Sequence, residues 1–338
     1  MSMHEVKKRL RVLKRPYQAT VDVFNIIGCI AYDGYRYLRW SSAVRHRSSK
    51  GTTDVLLTKY YHMIEKGLAL PQPRPGFGAY PIGRLFELLD GGIKTSSVSR
   101  EGMFALEALA AYRDFHGAAD LSDEHGVGAF VDAAESALSV GVQATATIPA
   151  AWAADEFFRD RDPLAFFSSR HSVRQFTSRA VGQDELERAV EIAQTSPSVC
   201  NRQAGHVHLV SDRELRESLL ALQDGNRGFG SDAPVLAVIT CEIDHFVLPQ
   251  ERYQMWIDGG LFAMSFILGL HAAGLSTCCL NWSALPKNDK LVRGVLPLKP
   301  EESIIMFIAV GWAADDLRVA RSPRKLTSQV MTMHGSEQ

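Results

Sequence analysis

Cysteine is scarce in this 338-residue chain. There are five, Cys29, Cys200, Cys241, Cys278 and Cys279, an odd number with no C-x-x-C spacing. That pattern argues against a disulfide framework or a cysteine-built zinc site and for a reducing, cytoplasmic setting. An excess of charge of one sign is also missing. The 37 basic and 38 acidic residues leave a formal net charge of −1, which gives no general attraction to nucleic acid or to an anionic membrane. No G-x-G-x-x-G follows a strand and opens a helix, because the stretch from Gly225 to Gly230 lacks that context. Walker A and G-x-S-x-G motifs are absent. Ser322 and Lys325 have S-x-x-K spacing without the S-D-N and K-T-G companions. No acid–base dyad stands out. The basic start is not followed by an uninterrupted apolar run, so no secretory signal is expected. Gly259 to Leu280 is uncharged over 22 residues and reaches membrane-crossing length. Its Gly259, Gly260, Gly269, Gly274 and His271 favour a fully buried helix followed by a buried strand, and no integral membrane segment is expected.

What is present is a folded composition: 46% hydrophobic against 22% charged residues places the chain among globular proteins, and its length favours two units. The basic residues crowd the start, with Lys7, Lys8, Arg9, Arg11, Lys14 and Arg15 forming either a solvated helix face or a contact to a membrane or acidic partner. Apolar residues from Val21 through Phe24, Ile27, Tyr32, Tyr35, Leu38 and Trp40 recur near helical spacing, as a core or subunit contact requires. Residues 58–80 begin as a helix ending near Gly67 and continue through Pro71, Pro73, Pro75, Gly76 and Gly78 as a loop, a candidate lid. His62 and Glu65, at i and i+3, either share a ligand or make a local polar contact. Further helices are expected over 81–90, 99–116 and 129–140, so residues 1–150 read as an α-rich unit with no internal repeat.

Beyond a boundary near 141–165 the pattern alternates between helices and short apolar strands. Helices are expected over 184–193, 214–222 and 254–273, and strands over 206–210, 234–240, 275–280 and 303–310. His206 and His208 fall on one strand face, and Cys278 and Cys279 are expected to pack in a buried strand. The fold class is α+β, with a small mixed sheet flanked by helices.

Chemistry concentrates in Ser169–Phe176, where Arg170, His171, Ser172 and Arg174 make an anion-binding composition. Alone it also suits an exposed helix start. Pro197, Ser198, Asn201 and Gln203 form a polar turn before a strand, Asn226 lies eight residues before Pro234, and Leu280, Asn281 and Trp282 end the third strand. Arg324 and Lys325 add a second cationic pair.

In this order the motifs R-H-S-x-R-x-F, P-S-x-x-N-x-Q, G-L-x-T-C, V-G-W and P-R-K resemble the FMN-dependent nitroreductase family, over residues 165–330. The resemblance implies a nitroreductase-like FMN-binding domain preceded by the α-rich region 1–150. It assigns Arg170, His171, Ser172, Arg174, Arg324 and Lys325 to the FMN phosphate. Pro197, Ser198, Asn201 and Gln203 would belong to the flavin site of a neighbouring subunit in a homodimer. Asn226 would meet the ring or ribityl chain, and the backbone at Leu280, Asn281 and Trp282 would face N5 and O4. It also implies ping-pong transfer from NAD(P)H, or another donor, to a small acceptor. Two departures are visible. Gln203 is followed by Ala204 and Gly205 rather than by proline and an aromatic residue, and Asn281-Trp282 stands where the best-known members have Glu-Gly. The IEKGL and GFG stretches are similar to the extension of nitroreductase-like proteins of polysaccharide gene clusters. A flavin protein without turnover, acting in assembly or regulation, and an FMN oxidase or dehydrogenase acting on a metabolite or sugar intermediate remain alternative readings.

Overall fold

The computed structural model describes residues 3–42, 50–68, 73–118, 123, 125–147, 163–315, 319 and 326–335. Its centre is the strand β2, Val235–Glu242, a β-branched and apolar run buried on both faces. Around it stand β1 (Gly205–Val210), β3 (Ser276–Asn281) and β4 (Glu302–Gly311), in the order β1-β2-β4-β3. All three ladders are antiparallel, with a bulge between Ile239 and Thr240. A parallel bridge from Ser172 to Thr277 extends the β3 edge, and it alone makes the sheet mixed.

Alternation along β2 sorts its side chains between two helical layers. Val235, Ala237 and Ile239 pack against α7 (Gln183–Gln194) and α9 (Gln254–Ala272). Leu236 and Val238 pack against α8 (Arg213–Leu220) and α10 (Pro286–Val295). A Cβ on Gly269 would lie 2.8 Å from the Ala189 Cα, so the close approach of α7 and α9 depends on that glycine. The N-terminal region has its own helical core, built from α2 (Lys50–Leu68), α3 (Ala79–Lys94), α4 (Arg100–Ala118) and α5 (Val127–Leu138).

The first helix, α1 (Met3–Trp40), belongs spatially to the C-terminal layer. Arg36 is buried and donates to the carbonyls of Pro300, at 3.1 Å, and Glu302, at 2.5 Å. Tyr37 and Trp40 pack against a small cluster containing Phe246 and Met255. Val23, Phe24, Ile27, Ile30, Tyr35 and Leu38 stay exposed, so most of the apolar stripe has no cover within this chain. The basic residues 7–15 lie in the first half of this helix.

Four expectations change. The helix α9 is apolar enough to cross a membrane, but only half of its window is buried. Trp256, Ile257, Leu261 and Met264 form an exposed face, so the fully buried helix of the sequence reading is buried on one side only. Cys278 is buried while Cys279 is exposed, because neighbours on a strand point to opposite faces. Residues 69–72 of the Pro/Gly loop, Pro71 among them, lie outside the described residues; its later part is pinned, as Gly76 N–H donates to His116 Nε2 at 3.1 Å and Tyr112 donates to the Phe77 carbonyl at 2.8 Å. Two helices escaped the sequence reading, α6 (Pro163–Ser169) and α10, both short and opened by proline. His62 Nδ1 and Glu65 Oε2 meet at 2.8 Å as a local contact on α2.

Candidate functional site

The segment after α6 runs beside β3. Val173 N–H donates to the Thr277 carbonyl at 2.9 Å, and Phe176 bridges to Ala313. This attachment places Arg170 and His171 on a cavity of about 280 Å³, with His271, Ser276 and Thr277 on its wall. Ser169 adds a hydroxyl, with its Oγ 2.8 Å from His271 Nε2. Among the described residues that line it, none is acidic. Cations and hydroxyls without a carboxylate suit an anionic group, and an Arg fork can hold two of its oxygens.

Arg174 lies elsewhere. Its guanidinium sits 5.7 Å from the centre of the Phe229 ring, on the side of the sheet covered by α8 and α10. The two arginines also act on different thiols. Burial raises the Cys278 pKa against the charge of Arg174; at Cys279, on a residue that is exposed overall, loss of water around the sulfur and the neighbouring Cys278 raise the pKa against the charge of Arg170. Ser172 occupies the parallel bridge itself. His271 and Ser169 were not among the sequence candidates; the only signal was a lone histidine in an otherwise apolar run.

The turn from Pro197 to Gln203 stands at the opposite edge. Cys200, Asn201 and Gln203 all have positive φ, near 50°, a region costly for side-chain-bearing residues. Three groups hold it. Ser198 Oγ accepts from Gln203 N–H at 3.0 Å, Asp258 Oδ2 accepts from Val199 N–H at 3.1 Å, and Arg202 forks onto Glu251 at 2.6 and 3.2 Å. Burial opposes ionisation of Glu251, but hydrogen bonds from Arg202, Val247 and Leu248 and the charge of Arg202 hold its pKa below the usual range. Asp258, Arg202 and Glu251 were missed because their partners are distant in sequence.

Asn226 and Asn281 are brought together through a third residue, the buried Gln223. Asn226 Nδ2 donates to the Leu220 carbonyl at 2.8 Å and to Gln223 Oε1 at 3.1 Å. Gln223 Nε2 in turn donates to the Asn281 carbonyl at 3.0 Å. The Asn226 amide is thus turned into its own loop. Leu280 is buried in the core, Asn281 is exposed with Nδ2 2.9 Å from Ser283 Oγ, and Trp282 stacks on Phe307 with ring centres 4.7 Å apart. Trp282 also faces Tyr32 and Arg36 of α1 across a small cavity of about 90 Å³. Arg324 and Lys325 lie outside the described residues.

The register places the two groups at diagonal corners. Thr277 pairs with Val310 and so with Val235, at one end of the sheet; Gly205 pairs with Cys241 at the other end. Six residues of strand rise and three strand spacings separate them by roughly 24 Å. The turn and the Arg170 cavity therefore cannot form one compact site within a single chain.

A cationic cavity at the edge of a helix-covered α+β sheet suits an anionic ligand. Residues 167–223 and 220–312 match the model of the Nitroreductase family. A protein of Methanothermobacter thermautotrophicus, provisionally named an NADH dehydrogenase/NAD(P)H nitroreductase, is 23% identical over 159 residues, covering 46% of this chain and 79% of its own. The FMN reductase (NAD(P)H) of Bacillus subtilis is 25% identical over 176 residues, covering 46% of this chain and 67% of its own. The solved FMN-dependent nitroreductase from Clostridium difficile aligns with a TM-score of 0.44 at 22% identity, over 51% of this chain and 99% of that one.

Proposed function

We propose that the chain is an FMN-dependent oxidoreductase of nitroreductase type, taking electrons from NAD(P)H and passing them to a small organic acceptor. The observation that carries this is the cationic cavity at the β3 edge, where Arg170 and His171 meet Ser276 and Thr277 inside the region that matches the family model. The names of the relatives supply FMN and NAD(P)H to the reading.

Bound FMN would supply the redox chemistry. The protein's part is to hold and orient it. Arg170 and His171, with the Thr277 hydroxyl, would hold the phosphate. The backbone at Asn281, fixed through Gln223, would present a stiff polar edge to the ring. Arg174, nearer Phe229, would approach from the other side of β3.

A homodimer belongs to the same reading. The turn at Pro197, Ser198 and Asn201 is too far from the Arg170 cavity to serve it in its own chain, so it would serve that of a second copy. The exposed apolar face of α9, with Trp256, Ile257, Leu261 and Met264, is a fitting surface for that copy. In this reading the α-rich region 1–150 is an accessory to the FMN-binding domain 165–330, and the setting is cytoplasmic. The test is direct: purified protein should be yellow, or the apoprotein should bind FMN at micromolar concentration. Folded protein that takes up no FMN ends the proposal.

A further inference from the structure

Between the α-rich region and the C-terminal domain lies the largest described cavity, about 720 Å³. It is lined by Lys59 and Tyr60 of α2, Tyr80 and Arg84 of α3, and the loop after β2 at Val247 and Leu248. A junction between two packed units, at this volume, is a usual place for a small-molecule site. Its chemistry is one-sided. Among the described residues that line it, two cations and the hydroxyls of Ser42, Thr52, Thr53, Tyr60 and Tyr80 contribute the polar groups, and none is acidic.

The polar groups are organised by aromatic rings. The Lys59 ammonium stands 5.3 Å from the Tyr60 ring centre and the Arg84 guanidinium 6.0 Å from it, so one ring carries both cations. The Tyr60 and Tyr80 hydroxyls lie 3.4 Å apart, with the rings edge to face. Tyr60 is buried, which fixes the cluster to the helical core. Arg84 shares its charge with Glu87, at one side of the cleft. Lys59 forms no ion pair among the described residues.

We infer that this cleft is a second binding site, distinct from the Arg170 cavity, for a small hydroxyl-bearing anion whose phosphate or carboxylate is held by Lys59 and Arg84. The tyrosine, serine and threonine hydroxyls read the ligand's hydroxyl groups. The site uses only the extension and the loop after β2, so it stands whether or not the C-terminal domain binds FMN.

The test is calorimetric titration of the full chain with glucose 6-phosphate, gluconate, glucose and inorganic phosphate. Glucose 6-phosphate or gluconate should bind at least tenfold more tightly than glucose and than inorganic phosphate; whichever of the two binds more tightly names the head group. Lys59→Ala and Arg84→Ala should each weaken that binding tenfold or more with the circular dichroism spectrum unchanged. Lys94→Ala, which removes an exposed cation at the far end of α3, should leave it unchanged. Lys59→Arg, which keeps the charge if Lys59→Ala fails to fold, should retain binding within a few fold. Equal affinity for inorganic phosphate and both hydroxylated anions, no binding at millimolar concentration, or binding lost in Arg170→Ala but kept in Lys59→Ala would each overturn the inference.

Discussion

The Tyr32 hydroxyl donates a 2.6 Å hydrogen bond to Asp289 Oδ2, joining residues 257 apart. Asp289 also meets Arg293 Nε at 2.8 Å and Arg36 Nη1 at 3.7 Å. Burial would raise the Asp289 pKa, but the hydrogen bonds from Tyr32 and Arg293 and the two guanidinium charges hold it below the usual carboxylate range. This cluster fastens the end of α1 onto α10, beside Trp282.

Removing the carboxylate should release α1. Asp289→Ala removes the carboxylate nearest the buried Arg36 and the half-buried Arg293, with an expected loss of about 3 kcal/mol. Tyr32→Phe removes a single bond to a charged group and should cost about 1.5–3 kcal/mol. Urea midpoints give the magnitudes, and trypsin should cut at Arg36 and Arg39 faster in both variants. Wild-type cleavage rates in both would show that the cluster does not hold the helix.

A second buried carboxylate governs acid stability. Glu302 accepts from His208 Nε2 at 2.6 Å and from Thr240 Oγ1 at 2.7 Å. Burial would raise its pKa; the two hydrogen bonds and the charge of His208 bring it down to about 2. A carboxylate depressed from about 4.3 contributes stability that is full above the unfolded value and lost as pH falls through the folded value, here between about pH 5 and 2. The contribution is about 3 kcal/mol. Glu302→Gln should flatten that limb of the stability–pH curve, as denaturant melts from pH 7 downward would show; an unchanged acid limb refutes the assignment.

Arg170→Ala should weaken FMN binding by about 1.5–3 kcal/mol, as expected for hydrogen bonds to a charged group. Arg174→Ala should cost the same amount if both arginines reach the flavin, and much less if Arg174 remains over Phe229. The fold should survive both changes, because both side chains are attached at the sheet margin. Fluorescence titration with FMN measures the affinities, and an Arg170→Ala protein that unfolds would make the cluster structural.

The α9 face supplies the fourth prediction. Leu261→Glu together with Met264→Glu places two carboxylates on the proposed dimer surface, where an uncompensated buried charge is costly. Sedimentation should show monomer in place of dimer, and FMN affinity should fall with it. Monomer that keeps full FMN affinity would show that one chain suffices.

Periodicity disclosed the α+β order, because the strand and helix repeats are local properties of the chain. Ten residues of β4 and eight of β2 announce themselves by continuous β-branched and apolar sequence. The cationic run Arg170 to Arg174 was legible for the same reason. Partners far apart in sequence were not. Gln223 links Asn226 to Asn281, His271 joins Arg170 on one cavity wall, and Glu251 anchors the Arg202 turn. Each of these depends on register across the sheet, which the chain pattern does not encode locally. The sequence by itself determined the elements other than α6 and α10, the nitroreductase-like motifs and the chemistry of the anion-binding segment. Tertiary structure decided that Arg170 and Arg174 lie on different sides of β3, and that the 197–203 turn stands at the far corner of the sheet. It also decided that α9 keeps one apolar face uncovered. Those outcomes follow from antiparallel pairing, which fixes the distance between residues by strand order rather than by their separation along the chain.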